Sequence, residues 1–423
     1  MLTLVLLATA AQVQVYHQHE SEQFRTRLMR VPRAGGRAGV QPPAFFEFAP
    51  ASGAGMGAAC ACTVPTGAKG ESLTFTRSGS ATCSKVGAST TGIANGDVVT
   101  CSGNQPRIEP SAGALAVRME APRTNSLVQS ESIDNAAWTK GPAVGTITAN
   151  FAIAPDGTTT AERYQYSNTN NDYVLQGFGV GGVAATTSVY LRGNGVNGTI
   201  NMCRGGGVGQ CVTCSYVSTS WSRCVYAGTL AASNNVFLGC ETSTLGGACA
   251  QTGLDVLVWG LQGEVGGHAS SYIATAGASA TRNAEALSLT SFNLDMTNGS
   301  YALTSAALGL DTIYGVPLGL TPPTDGWQFY NDYSSWNGFW SLYYNGAAVN
   351  TSAIAAYSGT QRLASWRTGG SVFFNINGTQ GSAVRSGVTT VTGVTIGGDN
   401  TANDYYSGHI SRVCIDPNAL RCR

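Results

Sequence analysis

Residues 327–344 (WQFYNDYSSWNGFWSLYY) crowd aromatic rings and amides into one short stretch. Aromatic faces stack on the axial C–H groups of sugar rings, while amides and carboxylates bind sugar hydroxyls. Trp327, Tyr330, Tyr333, Trp336 and Trp340, interleaved with Asn331, Asp332 and Asn337, are therefore the candidate surface for a glycan. A strand turns only alternate residues inward. The adjacent pairs Phe339/Trp340 and Tyr343/Tyr344 cannot all line a core unless both faces are covered. The competing reading is that these rings fill a core or a contact between subunits, where each buries a large area.

Other constellations carry less chemistry. Asp399, Asn400 and Asp404 gather oxygen donors in one loop. Such donors suit calcium, although a polar loop tip has the same composition; no other cofactor is expected. His17 and His19 form an H-x-H pair that reads as solvated arm. Glycan hydrolysis needs two carboxyl groups flanking the scissile bond. Residues 286–423 contain no glutamate, and their aspartates form no same-face pair on a credible strand. No G-x-S-x-G elbow has a fitting histidine. The glycine runs 177–182 and 205–209 sit between strand-like segments, whereas a phosphate loop opens a helix. No enzyme is expected. Four N-x-S/T sequons, at Asn197, Asn298, Asn350 and Asn377, are within chance for this composition.

The elements that must position these residues are strands. Only 11% of the 423 residues are charged, 55 are glycine and three are lysine. Long helices need Glu, Lys, Leu and Gln on their faces, and these are scarce. Short β-branched and aromatic runs alternate with Gly, Asn, Asp and Ser clusters from residue 73 onward, which suggests β-sandwiches. Residues 254–261 (LDVLVWGL) read as a central strand covered on both faces. Asn345-Gly346 and Asn377-Gly378 are hairpin signals, since both residues accept positive φ. The expectation is an all-β chain: an irregular N-terminal segment at 1–72, one sandwich at 73–285 and a second at 286–423. Residues 274–282 are small and polar and mark the boundary.

Net charge is zero, and no basic patch interleaved with aromatics supports nucleic-acid binding. Arg25, Arg27, Arg30, Arg33 and Arg37 form a basic arm read as solvated. Residues 1–10 (MLTLVLLATA) read either as a signal-peptide core with an A-x-A end or as a hydrophobic docking segment; they are too short to span a bilayer. The twelve cysteines are even in number and locally clustered, which fits disulfides. Cys83–Cys101, Cys240–Cys249 and Cys414–Cys422 are plausible pairs. Free thiols of a protein assembled in a reducing cytosol remain the other reading. Cys211 and Cys214 form a CxxC with no second ligand pair for zinc.

Several phrases resemble known families. Residues 73–82 (LTFTRSGSAT), 122–130 (PRTNSLVQS), 135–140 (NAAWTK), 154–162 (APDGTTTAE), 259–264 (WGLQGE), 271–275 (SYIAT) and 280–282 (ATR) together resemble a jelly-roll module of carbohydrate-binding type found in phage tail-fibre and other virion surface proteins. Residues 371–378 (SVFFNING), 394–399 (VTIGGD) and 405–415 (YYSGHISRVCI) resemble a laminin-G-like, concanavalin-A-like lectin or glucanase domain. The resemblance implies a non-enzymatic tail-fibre or head-fibre protein on a virion surface, contacting host-surface glycans and other virion proteins as a homo-oligomer. A purely structural decoration protein and a secreted adhesin are the alternatives.

Overall fold

The computed structural model describes residues 44–47, 60–64 and 72–422, apart from residues 112, 178, 180–181, 206–209, 230–234, 291–293, 309–314, 322–326, 332–338, 345–346, 356–359, 369, 385–389, 399–404 and 417–421. Residues from Pro43 onward form one unit. The chain is all-β, as its composition requires; one four-residue helix, Thr242–Leu245, is the exception among the described residues.

One sandwich uses consecutive strands. Its first sheet runs, in spatial order, Ser222–Thr229, Ala184–Gly193, Asp255–Val265, Ala161–Gln165 and Thr146–Ala152. Its second runs Cys211–Tyr216, Gly198–Arg204, Asn235–Cys240, Asp172–Gly177 and Thr139–Lys140. Alternate residues such as Val189, Leu191, Ile200, Met202, Val236, Leu238, Val256 and Val258 meet between the sheets, with Trp138 and Tyr164 closing the core. Asp255–Val265 is buried almost throughout, because its outer face is also covered. Leu257, Trp259, Tyr190 and Trp221 point outward from that sheet and pack under Ile93 and Val98.

The other sandwich is discontinuous. One sheet contains Thr379–Val384, Ser371–Ile376, Thr360–Thr368, Ser300–Ala307 and Gly408–Asp416, and continues through Ala114–Met119 to Arg107–Ser111. Ala44–Glu47 also pairs with Gly408–Asp416. The facing sheet starts with Thr74–Thr76, which pairs with Ala286–Leu289. Met119, Leu287, Leu303, Leu318, Phe329, Phe374 and Ile410 share the core. Segments before residue 120 thus complete the sandwich that the sequence confined to 286–423, and the first sandwich is inserted between them.

The two crossings lie side by side. Arg123–Asn125 pairs antiparallel with Ala280–Arg282, with Thr124 opposite Thr281. Residues 274–282, expected as a flexible boundary, therefore end in a strand whose Arg282 is buried. At the second hairpin signal the expectation holds: Asn377 and Gly378 have φ of 50° and 95° and join strands with Ile376 opposite Thr379. Both central residues are positive in φ, as the tight hairpin turn requires.

All twelve cysteines are paired. Cys240–Cys249 and Cys414–Cys422 form as expected. Cys83–Cys101 does not: Cys60 takes Cys83, and Cys62 takes Cys101. In the hairpin Ala81–Ser84/Val98–Cys101, Cys83 lies opposite Val99 and Cys101 opposite Ala81, so the two sulfurs are out of register. The CxxC is split by strand alternation. Cys214 turns into the core and joins Cys224 across the two sheets, while Cys211 joins Cys203 on the adjacent strand. Six disulfides fit an extracellular, oxidising setting.

Candidate functional site

The glycan candidates from sequence are placed only in part. Trp327, Tyr330 and Asn331 lie on Trp327–Asn331, and Trp340 on Phe339–Tyr344, with Asn331 opposite Trp340 in the ladder. Phe329, in the same strand, is a fully buried core residue. Asp332, Tyr333, Trp336 and Asn337, and the calcium candidates Asp399, Asn400 and Asp404, lie outside the described residues.

Where the described side chains do gather is the seam between the inserted and outer sandwiches. Charged residues are rare in this chain, yet Arg77, Arg107, Arg118, Arg123 and Arg282 here meet Glu109, Glu120, Glu264 and Glu285. Arg107 is central. It forks onto Glu285, reaches Glu120 at 2.6 Å and donates to Ser271 Oγ at 2.6 Å. Arg77 holds the same Glu285 at 2.6 Å. Arg118 divides its two terminal nitrogens between Glu109 and Glu120, both at 2.8 Å. His409 Nε2 lies 2.6 Å from Glu109.

Burial alone would raise these carboxyl pKa values. Around Glu109, Arg118 and His409 overcome that effect and hold the carboxyl down at about 2. Around Glu120, Arg118, Arg282 and Arg107 likewise outweigh burial and push the pKa well down. Burial also disfavours the charge on Arg118, but Glu109 and Glu120 more than offset it and raise its pKa. Glu109 and Glu120 are therefore committed acceptors and stay ionised at neutral pH.

Beside this network opens a cleft of about 370 Å³. That is within the roughly 300–1,000 Å³ typical of small-ligand pockets. Its floor is Tyr190 and Tyr272, whose ring centroids are 6.3 Å apart in an edge arrangement. Both pack against Trp259, at 5.4 and 4.4 Å. Tyr272 is further pinned by Ser130 Oγ at 2.7 Å and by donating to Glu131 at 2.8 Å. One wall is the loop carrying Ala88, Ser89 and Thr90, held to the sheet where Arg223 N donates to Thr90 O. The other walls are the strand Ser222–Thr229, through Arg223, Val225 and Ala227, and the loop carrying His268 and Ser271. Leu308 of the outer sandwich closes one end.

Arg118 from the ion network and Ser84 also line this cleft; Arg118 Nε and Ser84 Oγ lack hydrogen-bond partners. Among the described residues, no aspartate or glutamate lines it. Sequence reasoning missed this site because its residues come from six separated segments. Tyr190, Arg223 and Tyr272 sit in phrases that read locally as ordinary strand and turn.

No family model and no curated protein sequence matches the chain. Solved structures with a similar arrangement include domain 4 of AbnA, a GH43 extracellular arabinanase from Geobacillus stearothermophilus in complex with arabinotriose. It is 16% identical over 33% of this chain and 71% of that one, with a TM-score of 0.26. The mouse laminin alpha1 chain, domains LG4-5, is 10% identical over 66% and 92%, with a TM-score of 0.23. The tandem CBM22-1-CBM22-2 domain of Xyn10C from Paenibacillus barcinonensis is 10% identical over 69% and 96%, with a TM-score of 0.24. At these identities and TM-scores the likenesses carry no argument about function, and the functional reading rests on the site itself.

Proposed function

We propose that the chain is a non-enzymatic surface protein that binds glycans, and that the cleft between the sandwiches is a binding site. The observation that carries this reading is the composition of the cleft: a rigid tyrosine floor with hydroxyl, guanidinium and imidazole groups around it. Apolar ring edges with a few convergent polar groups suit a sugar-sized ligand. A non-enzymatic role draws its support from the ion pairs that lock Glu109 and Glu120 beside the cleft. The six disulfides support an extracellular place of action. Display on a virion, as a homo-oligomer touching host glycans and other virion proteins, is the finer form of the proposal. Its support is the resemblance of residues 73–285 to tail-fibre modules. The aromatic stretch 327–344 is proposed as a second contact surface.

The test is to fill the cleft. Ala227 is exposed on its wall. Ala227→Trp is expected to abolish binding to any glycan that a glycan array finds for the full chain, with Tm unchanged. Unaltered binding by this variant would remove the cleft from the proposal. If no glycan binds the unmodified chain, the glycan reading itself falls.

A further inference from the structure

We infer that the cleft selects an anionic sugar, one bearing a carboxylate or a sulfate; this rests on the glycan-binding reading above. The argument is one of charge. Arg223 is a cation of the cleft with no carboxylate among its hydrogen-bond partners. Its terminal nitrogens donate to neutral acceptors, Ser270 O at 2.7 Å and Ser188 Oγ at 3.0 Å, and its Nε has no partner. Its guanidinium lies 5.2 Å from the centroid of Tyr190. The stacked ring and the two hydrogen bonds hold the group in place.

The neighbouring network does not cancel this charge. Arg118, its member in the lining, is itself matched by Glu109 and Glu120 at 2.8 Å, and neither of these carboxylates bonds Arg223. No aspartate or glutamate is among the described residues of the lining, so the charge of Arg223 acts on the cleft. In a recess with low-dielectric walls, such a field is felt more strongly than on an open surface. A planar guanidinium also matches the geometry of carboxylate and sulfonate oxygens. Ser84 Oγ, which has no partner, and the hydroxyl of Thr90 remain for the uncharged part of the ring.

The experiment is calorimetric titration of the full chain with four probes: a glucuronate-terminated disaccharide, a sulfated galactose disaccharide, neutral lactose and inorganic sulfate. Both charged sugars, or one of them, should bind at least tenfold tighter than lactose, and the preference should shrink as salt rises. Arg223→Gln should erase the preference. Because Arg223 also ties Ser188 to Ser270, Ala227→Glu supplies a second arm at an exposed position. It should weaken binding of the charged sugars at least tenfold relative to the isosteric Ala227→Gln, which adds the same bulk to the wall without the charge. Lactose binding as well as the charged sugars, or Ala227→Glu matching Ala227→Gln, overturns the anionic selectivity and leaves glycan binding standing. Binding of sulfate with no sugar bound supports an anion site and overturns the glycan reading. No binding by any probe overturns both. If the carboxylated sugar binds and the sulfated one does not, or the reverse, the inference holds and the anion is identified.

Discussion

The inserted sandwich and the outer sandwich have similar layered cores but opposite chain logic. The inserted one closes on itself: every strand of its two sheets comes from residues 139–265. The outer one needs Thr74–Thr76, Arg107–Ser111 and Ala114–Met119 from before the insertion to finish its sheets. The difference shows where this chain places its charges. Hydrophobic burial is non-directional and would tolerate several ways of docking two halves. The buried ion network joins residues from both sides of the insertion, Arg77, Arg107, Glu109, Arg118 and Glu120 with Arg282, Glu285 and His409. Each ion has a complementary partner only when the two outer segments and the neck between them meet in this one arrangement.

The strongest way to break the comparison is to separate the parts. Residues 123–282 expressed alone are expected to give a dispersed NMR spectrum and a cooperative melt. Residues 286–423 alone are expected to remain unfolded, because their sheets lack four strands, Ala44–Glu47 included, and Glu285 is left behind. A stably folded 286–423 fragment would mean that the early strands merely decorate a complete sandwich.

A smaller effect should come from the network itself. Arg107→Met leaves Glu285 and Glu120 short of a counter-charge in a buried site. Losing one partner of a buried ion pair costs about 3–5 kcal/mol, read from the denaturant midpoint. A partly exposed pair such as Arg163–Asp255, at 2.6 Å on the inserted sandwich, should change stability far less when Arg163 becomes Ala, because solvent screens it. Equal losses in the two variants would end the claim that charge specifies the seam.

The smallest effect separates the two sandwiches by pH. Glu109 in the seam has its pKa lowered from 4.5 to about 2. Its stabilisation is present above pH 4.5 and disappears as pH falls through about 2. Glu162 of the inserted sandwich behaves in the reverse sense: burial, helped by Asp134, raises its pKa to about 9. Its stabilisation is present below pH 4.5 and is lost as pH rises through about 9. Glu162→Gln should therefore flatten the alkaline arm of a stability–pH profile and leave the acid arm alone. An unchanged alkaline arm would show that Glu162 is not the group that binds the proton.

Much of the fold class was legible in the residues. Scarce charge, abundant glycine and period-2 runs left little besides strands, and Asn377-Gly378 announced its own turn because both residues accept positive φ. The covered strand Asp255–Val265 was visible as LDVLVWGL, since burial on both faces removes the polar alternation. Two neighbouring-cysteine pairs were also readable, where short loops bring the partners together.

What the sequence determined by itself was thus local: element type, one tight turn and the short disulfide loops, all set by interactions within a few residues. Only the tertiary structure decided which strands share a sheet, because a period-2 pattern states that a face is buried and is silent about what covers it. The same reason hid the crossed bridges Cys60–Cys83 and Cys62–Cys101, where register rather than proximity in sequence chooses the partner. It also hid the cleft. Arg118, Tyr190, Arg223 and Tyr272 come from distant segments, and no spacing between them is constrained until the insertion folds against the sandwich that surrounds it.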